Sequence, residues 1–210
     1  MEIDLSEAGK ESRIKYYYMS MNELDFNLRF LDLLNRRDDI PTWGIPSVPQ
    51  SIIVDENKYK LINCGVEYAP QRLYGVYWRQ SNISYYRIAK GADAISFQFT
   101  GCYLAKVMYN SDYFVFHIHS SDSDSTADYW NQFIDDNRDR IAEITIFKPA
   151  VANEKDDVMF KYLNESDKGI FTIAGMITVD NECYEILLNN KTCKAEAVLR
   201  KTKLVYPHLR

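Results

Sequence analysis

The chain has 210 residues, 46% of them hydrophobic and 26% charged, a composition that suits an ordinary globular domain long enough to bury one sizeable core. A net charge of -5 argues against general nucleic-acid binding. No run is long and apolar enough to span a bilayer, and the acidic start Met1-Glu2-Ile3-Asp4-Leu5-Ser6-Glu7 lacks the basic region and apolar core of a secretory signal peptide.

In chain order, residues 1–19 are poorly patterned and read as mobile. Ser20-Met21-Asn22-Glu23 forms a capping box. Leu24, Leu28, Leu31 and Leu34 then recur at helical spacing, which predicts a first helix over 21–36. Ile40-Pro41 stops it, and Pro41, Gly44, Pro46 and Pro49 mark an irregular loop. From residue 51 the period shortens. Strands are predicted over 51–54 and 59–63 around the turn Asp55-Glu56-Asn57, then over 73–78, 84–88 and 94–99. Residues 103–109 and 113–119 form a hairpin across Asn110-Ser111-Asp112. The polar run 120–125 caps a second helix with Trp130, Phe133, Ile134 and Ile141 on one face. Strand returns at 144–147. Residues 150–168 are charged and loop-like, with a short helix near Met159, and strands over 170–179, 183–188 and 195–205 close the chain. There is no internal repeat, low-complexity tract or linker. The expectation is a single α+β domain over 1–210: a mixed, largely antiparallel β-sheet sandwich with flanking helices.

The four cysteines, at 64, 102, 183 and 193, contain no C-x-x-C and no zinc-finger spacing. They read as free thiols in a reducing compartment. Cys183 and Cys193 could bridge a hairpin, though their spacing does not demand it.

One pairing concentrates chemistry. Ser96-Phe97-Gln98-Phe99-Thr100-Gly101-Cys102 places a thiol just after a glycine, and His117 follows fifteen residues later in Phe114-Val115-Phe116-His117-Ile118-His119. A cysteine nucleophile and its base can be set this way on neighbouring strands. Alternation puts His117 and His119 on one face and Phe114, Phe116 and Ile118 on the other. Ser96 is the candidate third member, able to hold the imidazole by a hydroxyl or a backbone carbonyl, and Gln98 competes from the same strand parity. The bland alternative is a buried free cysteine beside two partly exposed histidines. His117 and His119 also permit a zinc reading with Cys102 or an Asp, but no second ligand cluster is evident, and no metal is expected. Asp122-Ser123-Asp124-Ser125 lacks the glycine and closing glutamate of an EF-hand and reads as a solvated turn. Phosphate-loop, dinucleotide, α/β-hydrolase and zincin motifs are absent.

Thr100-Gly101-Cys102 and Phe116-His117-Ile118 resemble the signature of the glutamine deamidase toxins, the family of Burkholderia lethal factor and of the catalytic domain of the cytotoxic necrotizing factors, itself similar to the chemoreceptor glutamine deamidases. That signature is a small residue, Gly and Cys at a strand end, with a histidine on the following hairpin strand; here Thr100 replaces the usual serine. Ser96 falls where the lethal factor carries a catalytic threonine. Residues 128–133 resemble its aromatic helix, and Ile173-Ala174-Gly175-Met176-Ile177-Thr178 resembles a late core strand. The resemblance covers roughly residues 90–190 and leaves the first 80 unaligned.

The resemblance implies a deamidase-toxin-like fold and hydrolysis of a protein glutamine to glutamate through a thioester. Cys102 would be the nucleophile, His117 the base and acid, and Ser96 the third member. Backbone N–H groups at Gly101 and Cys102 would bind the oxyanion, with His119 and Gln98 as secondary candidates and no cofactor. It implies a bacterial effector acting in a host cytoplasm on a Rho-type GTPase or a translation-initiation DEAD-box helicase, with no nucleic acid, no membrane span and a monomeric chain. Two competing expectations stand beside it: a non-catalytic binding protein on the same scaffold, and a related cysteine hydrolase or transglutaminase-like enzyme.

Overall fold

The computed structural model describes residues 53, 55–68, 73–97, 99–120, 125–150, 171–189 and 194–209. The predicted helix over 21–36, most of the strand over 51–54, the helix near Met159, Gln98 and Cys193 lie outside them. Eleven strands and one α-helix are described: β1 Leu61–Asn63, β2 Gly65–Tyr68, β3 Leu73–Val76, β4 Ile83–Ile88, β5 Asp93–Phe97, β6 Tyr103–Tyr109, β7 Asp112–Ile118, α1 Thr126–Asp136, β8 Ile141–Phe147, β9 Phe171–Ile177, β10 Cys183–Asn189 and β11 Lys194–Lys201. They form a five-stranded sheet, β1-β4-β7-β6-β8, and a six-stranded sheet, β11-β10-β9-β5-β3-β2. Only β1–β4 and β3–β5 pair in parallel, and the other seven pairings are antiparallel. The α+β class and the antiparallel bias therefore hold among the described residues, which include one of the expected helices. No described helix is long and apolar enough to cross a membrane.

The central hairpin explains the layering. β6 and β7 are buried on both faces, so their sequences are almost continuously apolar rather than alternating. Tyr103, Ala105, Val107 and Tyr109, with Phe114, Phe116 and Ile118, build one core with Trp130, Phe133 and Ile134 of α1. Leu104 and Val115 point the other way, into a second core with Val76, Ala94, Ile173, Ile177 and Leu187 of the six-stranded sheet. The order is helix, sheet, sheet. Asn110 and Ser111 both have positive φ, 48° and 69°, and Tyr109 pairs with Asp112. The connection is thus a two-residue turn of the type whose twist suits a tight hairpin, and Asp112 already belongs to β7.

Three expectations change. Ile141 opens β8 rather than ending the helix, because the Asn137 amide donates to the Phe133 carbonyl (2.9 Å) while its own carbonyl accepts from Arg140 and Ile141, turning the chain out of the helix. β2 was not predicted: Gly65 leads it, and glycine weakens a strand pattern. An added Cβ at Gly65 would lie 2.3 Å from the Tyr86 ring, so close packing demands the glycine. The last strand stops at Lys201, and Leu204 to Tyr206 are exposed.

Lys106 is buried on the inter-sheet face. Its ammonium donates to the carbonyls of Thr178 (2.8 Å), Ala92 (3.3 Å) and Val179 (3.4 Å), matching its three N–H groups to three acceptors and tying two loops of the six-stranded sheet to β6.

Gly175 is the close-approach point of the two sheets. A Cβ there would meet Pro149 at 2.6 Å, Phe99 at 3.1 Å and Leu104 at 3.3 Å. Gly175→Ala should therefore cost about 1–3 kcal/mol by overpacking, read as a lower midpoint in denaturant unfolding with an unchanged slope. Unchanged stability would mean that the two sheets approach each other less tightly than these contacts require.

Candidate active site

The sheet–sheet interface brings Ser96 and His117 into contact. Ser96 lies on β5, flanked in register by Val76 of β3 and Gly175 of β9. His117 lies on β7 of the facing sheet. Ser96 Oγ is 2.7 Å from His117 Nδ1 and 2.6 Å from the Val76 carbonyl oxygen. A proton count fixes the direction of both bonds. The carbonyl can only accept, so the single hydroxyl proton goes to Val76. Ser96 Oγ must then accept, and Nδ1 must carry the imidazole proton. The other ring nitrogen, Nε2, is left with its lone pair.

Phe99 fixes the ring plane. It stacks on His117 with centroids 4.3 Å apart and planes 4° from parallel, and its amide is anchored on the Ile173 carbonyl. His117 is 1% exposed. Burial, with a smaller contribution from the neighbouring His119, pulls its pKa down to about 3. The imidazole is neutral at physiological pH.

Cys102 precedes the first residue of β6 and is 4% exposed. Leu104 pairs with His117 and Tyr103 with Ile118, so strand parity puts Cys102 on the His117 face, one diagonal step away. It packs in the same cluster as Phe99 and Leu104. Gly101 has no atom within 4 Å of an added Cβ and no positive φ. Neither crowding nor backbone strain requires glycine there, and Thr100 beside it is exposed. Open space thus begins one residue from the thiol.

The remaining candidates separate clearly. His119 is half-buried just past β7, its ring against Trp78 at 5.7 Å and 59°. Gln98 is outside the described residues. Burial raises the Cys64 thiol and pushes Cys183 up to about 12, which keeps both protonated and poorly nucleophilic. Among the described residues, no group of three or more His, Cys, Asp or Glu side chains is placed to hold a metal ion.

Sequence reasoning missed Ser84. It lies on β4 directly opposite His117 and is 0% exposed. Among the described residues, neither Ser84 Oγ nor His117 Nε2 has a hydrogen-bond partner. Only the long-range register of β4 against β7 could have exposed this pairing, and no local motif encodes it.

The depressed imidazole has a thermodynamic consequence. Unfolding returns His117 to its ordinary pKa of 6.5, so between about pH 3 and 6.5 the unfolded chain binds more protons than the folded one. Stability should rise with pH across that window and level off above it, by up to about 1.4 kcal/mol per pH unit from this group. His117→Gln should remove that part of the slope, measured as the difference between the two stability profiles. Equal slopes would show that the ring titrates normally in the folded state.

No family model, curated protein or solved structure matches this chain.

Proposed function

We propose that this chain is a cysteine-dependent hydrolase that deamidates a glutamine side chain of another protein, in the manner of an effector toxin. One observation carries the hydrolase reading: Ser96 accepts from His117 Nδ1, which leaves Nε2 its lone pair on a residue that shares a strand face with Cys102. The glutamine specificity rests on the resemblance of Thr100-Gly101-Cys102 and Phe116-His117-Ile118 to the deamidase toxins. A Rho-type GTPase or a translation-initiation helicase in a host cytoplasm is the partner class that comes with it.

The proton accounting follows from the neutral ring. A histidine with its pKa near 3 does not hold a resting thiolate–imidazolium pair. The thiol proton moves to Nε2 as Cys102 Sγ attacks the carboxamide carbon, and Ser96 stabilises the imidazolium through Nδ1–H. The C–N bond then breaks, Nε2 returns the proton to nitrogen, and ammonia leaves a thioester. Water attacks the thioester carbon and gives its proton to Nε2. The C–S bond breaks, and the proton returns to sulfur. Backbone N–H groups at Gly101 and Cys102 serve the oxyanion, and the open side of Gly101 suits approach of a substrate to the main chain there.

The burial of Cys102 and His117 favours one other reading, a binding protein with an unused Cys-His pair. Mass spectrometry of candidate target proteins separates the two by asking for a Gln-to-Glu change. Cys102→Ser and His117→Ala should each lower that conversion by about a thousandfold or more. His119→Ala should cost less than about tenfold, since its ring lies about 6–7 Å further along the strand. Cys64→Ser, Cys183→Ser and Cys193→Ser should retain activity. Full conversion by Cys102→Ser would end the cysteine mechanism.

Ser96→Ala should reduce kcat by roughly 10- to 100-fold with KM little changed, because it releases the tautomer without touching the substrate. It should also cost about 1–3 kcal/mol of stability by stranding the Val76 carbonyl and Nδ1–H. An unaltered kcat would transfer the orienting role to another acceptor.

A further inference from the structure

Buried polar atoms in folded proteins are nearly always paired, and each exception needs a reason. The inter-sheet space holds two exceptions side by side. Ser84 Oγ and His117 Nε2 both lack hydrogen-bond partners among the described residues, at exposures of 0% and 1%. They belong to residues directly opposite in the β4–β7 register, so both side chains leave the same face with Cβ atoms about 4.5–5.5 Å apart. That separation suits two groups that share one small polar guest. Neither atom is held elsewhere: Nδ1 alone is used by Ser96.

We propose that Ser84 holds the hydrolytic water for His117, so that its hydroxyl serves thioester hydrolysis and not the first attack by Cys102. The assignment rests on the cysteine-hydrolase reading. A water between the two side chains gives one proton to Nε2 and uses its second hydrogen, or a lone pair, on Ser84 Oγ. The strand order sets the geometry. β7 lies between β4 and β6, with Ser84 on one side of His117 and Cys102, just ahead of β6, diagonal on the other. Nε2 thus takes the thiol proton in the first step and a proton from the water in the second, once Cys102 is acylated. Ser84 itself forms and breaks no covalent bond.

The same observation predicts an unusual pairing of effects. A buried hydroxyl with no protein partner among the described residues contributes little to the fold, so its removal should leave stability level while impairing the reaction.

p-Nitrophenyl acetate tests this without knowledge of the protein target. In the first turnover, Cys102 Sγ takes the acetyl group and p-nitrophenolate departs as a burst. In the steady state, water cleaves acetyl-Cys102 to acetate and restores the thiol. In the otherwise native chain, Ser84→Ala should leave the burst rate within about twofold and lower the steady-state rate by about tenfold or more, an effect in the range of general-base assistance. Acetylated protein should accumulate, with the acetyl group on the peptide containing Cys102, and the melting temperature should stay level or rise.

A steady-state rate equal to wild type overturns the assignment and leaves the cysteine reading intact. So does a lowered melting temperature, which makes the hydroxyl structural. Acetyl found on Ser84 makes it a nucleophile and overturns both. A wild-type chain with no burst dependent on Cys102 refutes the thiol reading, and the water assignment falls with it.

Discussion

A serine hydroxyl has one proton, and the arrangement of this site depends on where that proton goes. Ser96 gives it to the Val76 carbonyl and so turns a lone pair toward His117 Nδ1. Ser96 and Val76 belong to the six-stranded sheet and His117 to the five-stranded one. The hydrogen bond that selects the tautomer is therefore also a bond between layers. Neither sheet alone contains the site. The apolar contacts of Leu104, Val115, Ala94 and Ile173 supply the drive that presses the layers together. The polar bond specifies how the imidazole sits once they meet. Gly175 connects the two, since its missing side chain gives Phe99 and Leu104 room to lie against β9, and Phe99 in turn fixes the ring plane.

That dependence explains what was legible in the sequence. The β6–β7 hairpin could be read because its signals are local: apolar runs on either side of Asn110-Ser111. The face shared by His117 and Cys102 follows from strand parity, while Ser96 reaches the His117 ring from the other sheet, a contact that parity within a strand does not encode. The end of α1 was misread because helical spacing carries Ile141 onto the apolar face, while the side chain of Asn137 ends the helix first. β2 was lost because Gly65 interrupts its pattern, and the reason for the glycine, the Tyr86 ring above it, is a tertiary contact. Ser84 is the clearest case. Within Ile83-Ser84-Tyr85-Tyr86 it is an ordinary small strand residue. Its neighbour His117 comes from a strand far along the chain, and no local period encodes register between such strands.

On the proposed cysteine-hydrolase reading, the electrostatics of the site favour one mechanism over its common alternative. Many cysteine enzymes store a thiolate beside an imidazolium. Here desolvation lowers the His117 pKa, and Ser96 offers a neutral acceptor where a carboxylate would raise basicity. The imidazole is therefore neutral at rest, and on the proposed mechanism charge develops only as the bond to substrate forms. Such a site gives less resting reactivity. In return, it avoids the cost of holding two opposite charges in a dry space between sheets. Burial also raises the thiols of Cys64 and Cys183, which keeps them protonated.

Burial also frames the question of access. Cys102 and His117 are almost wholly covered, yet Gly101 borders open space and Thr100 is exposed, so the thiol lies at the edge of the interior. A glutamine side chain is narrow and carries its carboxamide at the tip of two methylenes. A channel that admits it end-on at Gly101 need expose little of the imidazole behind. On the proposed thioester mechanism, water for the second step must already be inside, because an acylated Cys102 would block that route. The neighbouring Ser84 hydroxyl and Nε2 provide two polar groups that can hold it. On the proposed reading, a hydroxyl between two sheets with no partner among the described residues is the group that a two-step hydrolysis needs.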